Sequence, residues 1–68
     1  MQVERVKYVI WAADLARATC FYQTVFGAEI TRTNTVMSEL ELAGAIIGIH
    51  GGGEGKRTWT GISIQVAD

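Results

Sequence analysis

At 68 residues, with 49% hydrophobic residues and a formal net charge of −1, the chain makes one small domain at most. A domain of this size buries only roughly 60% of the surface its unfolded chain exposes, so it calls for a disulfide, a metal or self-association. One cysteine, Cys20, excludes an internal disulfide and suits a reducing cytoplasm, and the scattered basic residues do not form a nucleic-acid footprint.

Residues 3–13 are rich in β-branched and aromatic side chains and predict a first strand. Its apolar stretch is far short of the about 20 residues that span a bilayer. Glu4, Arg5 and Lys7 precede that stretch and Asp14 closes it, unlike a signal peptide. Asp14 is a good helix N-cap, and Leu15, Ala18, Tyr22 and Val25 recur at helical spacing, flanked by Phe21 and Phe26. Gly27 stands where a left-handed helix stop is expected, which predicts a helix over 14–26. Strands follow at 28–33, 36–42 and 45–50, joined by turns at Asn34-Thr35 and Ala43-Gly44. Residues 51–57 read as a flexible glycine-rich linker, and the alternation over 59–66 predicts a fifth strand.

One helix covers one face of such a sheet. The alternation places Val6, Tyr8, Ile10, Leu40, Leu42, Ile47, Ile49, Ile62 and Ile64 toward the helix. Arg5, Lys7, Trp11, Glu39, Glu41, His50, Trp59, Ser63 and Gln65 fall on the other face. A polar and aromatic face of this kind suits a small-molecule cavity or an interface, although an antiparallel sheet also tolerates a solvated face. At the end of the chain, Ile64, Ala67 and Asp68 echo Ile10, Ala13 and Asp14 at one constant offset, as if a second module were beginning.

Val9-Ile10-Trp11-Ala12-Ala13-Asp14-Leu15, then Phe21-Tyr22 and Val25-Phe26-Gly27, resembles the vicinal oxygen chelate superfamily of glyoxalases, bleomycin-resistance proteins and extradiol dioxygenases. Ile46-Ile47-Gly48-Ile49-His50-Gly51-Gly52 and the closing echo extend the resemblance over nearly the whole chain. It implies an α+β fold. Residues 1–50 would form a single βαβββ module, 51–57 a linker, and 58–68 the first strand of a truncated second module. It leaves the reaction open, because this fold carries many functions. It also implies two modules paired into a cup and, in the enzymes, a divalent metal held by His or Gln on first strands and Glu on fourth strands. The matching positions here are Lys7, Gly48 and Gly61, none a normal ligand, so no cofactor is expected. His50 is the one imidazole able to replace them.

The candidate ligand-binding residues are Lys7, Trp11, Glu39, His50, Trp59 and Gln65. His50 can bind a metal, act as a base or hold a ligand, but a lone histidine before a glycine run is more commonly a partly exposed strand residue. Glu39 and Glu41 can supply carboxylates, and solvation is the commoner state for at least one of them. Trp11 and Trp59 can stack on a planar ligand or pack in a dimer interface. Lys7 and Arg5 can hold an anion, with Arg5 more naturally solvated. The glycine run fails as a phosphate loop, since Arg57 follows Lys56 and a strand comes next. Cys20 reads as a buried or semi-buried small residue without an activating base.

The expectation is a cytoplasmic homodimer that binds a small molecule, formed by pairing modules or exchanging the terminal strand. Two other functions stay open. One is a metal-dependent lyase, isomerase or dioxygenase built around His50 and a glutamate. The other is an inactive piece of a longer two-module protein.

Overall fold

The computed structural model describes residues 1–67. Five elements follow one another: β1 (Lys7–Trp11), α1 (Leu15–Phe26), β2 (Glu29–Thr33), β3 (Met37–Leu42) and β4 (Ala45–His50). The four strands form one sheet in the order β1-β4-β3-β2, with β1 parallel to β4 and the other pairs antiparallel. The architecture is a small α+β domain. No helix among the described residues is long and apolar enough to cross a membrane.

Local chemistry accounts for the elements. The Asp14 carboxylate accepts the backbone N–H of Arg17 at 3.0 Å and opens α1. Gly27, at φ +71°, closes it in the left-handed region, and the N–H groups of Gly27 and Ala28 return to the Gln23 and Tyr22 carbonyls. Asn34 forms the β2–β3 turn, its side-chain oxygen accepting the N–H groups of Val36 and Met37. Thr31 sits at a bulge in β2, where its hydroxyl donates to the Glu39 carbonyl of β3. The Ala43-Gly44 hairpin holds both residues at positive φ, as a two-residue turn of this twist requires.

The core lies between α1 and one sheet face. Ala28, Leu40, Ile47 and Ile49 are buried, and Ile10, Leu15, Ala18, Tyr22, Ile30 and Leu42 pack against them. Ser38 joins this buried layer. Its hydroxyl lies 3.0 Å from Thr19 Oγ1 and 2.9 Å from Thr33 Oγ1, while Thr19 donates to the Leu15 carbonyl at 2.7 Å. This hydroxyl cluster ties the helix to the β2–β3 hairpin without leaving a buried polar group unpaired.

The fold differs from the sequence expectations at four places. The first strand is shorter than 3–13, and Val6, expected in the core, precedes it and is exposed. The fifth strand does not form: residues 51–67 hold no helix or strand, and 61–65 instead lie across the apolar face of the sheet near Tyr8, Leu42 and Ile47. Alternation made 59–66 suitable for a half-buried surface, but it supplied no neighbouring strand. The glycine run is also less free than its composition implies. Gly51 donates to the Val36 carbonyl and Gly53 to the Ala12 carbonyl, fastening the run to the start of β3 and the end of β1. Cys20, expected to be at least half-buried, is exposed on α1. The expected helix cap at Asp68 lies outside the described residues.

Candidate functional site

Strand register builds the sheet face away from α1 in three rows. Trp11, His50 and Met37 form one end, and Val9, Gly48, Glu39 and Arg32 cross the middle. Lys7, Ile46, Glu41 and Glu29 form the other end. Lys7, Trp11, Glu39 and His50 therefore share one face, as the alternation expected.

Gly48 shapes the centre. With no side chain it leaves a dip, and a Cβ placed there would stand 3.6 Å from Val9 Cγ2 and 3.9 Å from Lys7 Cδ. The Lys7 stem crosses this gap, and its ammonium donates to Glu39 Oε2 at 3.3 Å. From the other side Arg5 Nη1 donates to Glu39 Oε1 at 2.7 Å. Both cations lie over the carboxylate, leaving Glu39 only 3% exposed on a face that water otherwise reaches. Burial alone would push its pKa up. The Lys7 hydrogen bond and the charges of Arg5 and Lys7 outweigh that and hold it below the ordinary carboxylate value. Glu41, by contrast, is solvent-exposed.

At the other end of the face, the Trp11 and His50 rings lie 5.1 Å apart at 50°. Trp11 is 66% exposed, and Trp59 stands wholly in solvent. The two tryptophans line a surface depression of about 650 Å³, together with Gly53, Gly55 and Lys56. Trp59 thus approaches the site from the irregular segment and not from a strand. Gln65 does not join it. It lines a separate cleft on the helix side of the sheet.

The donors present do not fit the divalent metal that the superfamily resemblance implies. Lys7 carries a proton on every available valence of its ammonium, and Gly48 offers no side chain. Gly61 lies in the segment off the sheet. No three His, Cys, Asp or Glu groups among the described residues are placed to hold an ion together. Two features escaped sequence reasoning. Arg5 read as solvated because its carboxylate partner lies 34 positions away in the chain. The Thr19–Ser38 contact likewise joins polar residues from two elements and leaves no periodic signal.

No family model and no curated protein matches this chain.

Proposed function

We propose that the chain is a small-molecule-binding module of the vicinal oxygen chelate type that works without a metal and takes its ligand beside Trp11. The observation carrying this reading is the Arg5–Glu39–Lys7 cluster. It puts an ammonium where the superfamily's first-strand metal ligand would stand, and it occupies both oxygens of the nearest buried carboxylate. The α+β architecture and its β1-β4-β3-β2 order support the βαβββ part of the resemblance. The exposed Trp11 ring, backed by His50, offers a flat apolar surface of the kind a planar ligand stacks on. An altered metal site that joined His50 to Glu39 would have to take that carboxylate from two cations.

Two further parts belong to this proposal. Among the described residues the outer edge of β1 has no neighbouring strand, and a second copy of the chain pairs there or by exchange of the terminal segment. The exposed, unpaired Cys20 thiol accords with a reducing cytoplasm.

Titration of tryptophan fluorescence with a flat neutral probe such as 2-naphthol tests the ligand site. The expected result is saturable quenching in the wild type that is lost in Trp11→Ala. Unchanged emission, or quenching that survives Trp11→Ala in full, contradicts it.

A further inference from the structure

A second cleft, of about 300 Å³, lies on the opposite face of the sheet from Trp11. Its floor is apolar: Tyr8, Leu42 and Ile47 come from three adjacent strands, with Ala45 at the rim. The helix does not close this end of the face, and Tyr8 remains 51% exposed. Residues 61–65 form the opposite wall and bring Ile62 and Ile64 toward the floor.

That wall differs chemically from the floor. Among the described residues, no backbone hydrogen bond joins 61–65 to the sheet, and the Ile62 N–H turns back to the Thr60 hydroxyl at 3.2 Å. Backbone amides and carbonyls, the Ser63 hydroxyl and the Gln65 amide therefore stand beside the cleft uncommitted to a ladder. Among the described residues, no carboxylate, ammonium, guanidinium or imidazole lines it. The wall offers water hydrogen-bond partners, whereas the Leu42 and Ile47 side chains of the floor offer none. An apolar group that displaces the floor-side water gains free energy, while one polar group on the ligand satisfies the wall.

We propose that this cleft is a binding site for a small, neutral, mainly apolar molecule carrying one hydroxyl or carbonyl, whose apolar body rests on Tyr8, Leu42 and Ile47. A charged ligand is disfavoured, because no counter-charge among the described residues lines the cleft. The site is separate from the Trp11 face, so the two stand or fall independently.

Amide chemical-shift mapping with 4-ethylphenol as the probe tests the proposal on the intact chain. Saturable shifts should appear at Leu42, Ala45, Ile47 and Ile62 through Gln65, and they should persist in Trp11→Ala. Ala45→Phe, which fills the rim from an exposed position, should weaken binding at least tenfold. Absence of saturable shifts at these amides in the wild type overturns the proposal without recourse to any variant. So does binding there that a folded Ala45→Phe leaves unchanged.

Discussion

A carboxylate in the middle of an open sheet face ordinarily points into water. Glu39 does not, because Arg5 and Lys7 close over it, while Arg32 occupies the cross-strand position beside it and Glu41 lies two residues along the same strand. The two cations hold its folded pKa below the ordinary value despite burial. A carboxylate whose pKa is depressed by folding adds stability that is complete above its unfolded pKa, about 4.3 for glutamate. That contribution disappears as the pH falls through the lower, folded value. Glu39→Gln cannot titrate and leaves two cations facing each other. Denaturant melts from pH 7 to pH 2 should show the variant less stable at neutral pH and less sensitive to acid below about pH 4.3. Parallel acid limbs for the two proteins would mean that the cluster contributes nothing to acid sensitivity.

At the scale of elements, the docking of the glycine run sets the end of β1. Gly53 packs so closely that a Cβ there would stand 2.9 Å from the backbone N and C atoms of Ala12 and 3.0 Å from the carbonyl carbon of Trp11. Backbone cannot give way as a flexible side chain does. Gly53→Ala should cost about 1–3 kcal/mol, the usual range for overpacking, read as a lower denaturant midpoint. An unchanged midpoint would show that the run is not fixed against β1.

The helix was legible in the sequence because both of its ends carry local signals, a capping aspartate and a left-handed glycine. β3 and β4 were legible through alternation that matches the buried face. The tight fit of Gly53 was not legible, since composition reports how freely a glycine bends and says nothing of what lies against it. Nor was the unpaired state of 59–66, because alternation describes a side-chain pattern and contains no information about a neighbouring strand. The four residues gathered on the open face followed directly from strand parity. The ion cluster that gives the face its character depends on side chains 32 and 34 positions apart and needed the folded structure.

The whole molecule exposes more surface than its mass warrants. A folded monomer of 7.4 kDa exposes about 4,200 Å² by the usual size scaling, against 5580 Å² here. The excess exceeds the roughly 800 Å² that each partner contributes to a standard interface. Exposed Val9 on β1 and Val6 just before it lie near the outer edge of this strand, which pairs with no other strand among the described residues besides β4. A second copy docked there would cover them while leaving Trp11 open. Light scattering after size exclusion at micromolar concentration should therefore give twice the chain mass. A single-chain mass across the whole concentration range would remove the dimer from the account.

Whether this open face works without a metal is decided most directly by elemental analysis. The protein is dialysed against zinc, nickel or manganese and then against metal-free buffer. With Lys7 and Arg5 holding Glu39, far less than one ion per chain should be retained, and Trp11 should still respond to 2-naphthol in the presence of a chelator. One ion per chain, retained through dialysis and lost in His50→Ala, would contradict the account.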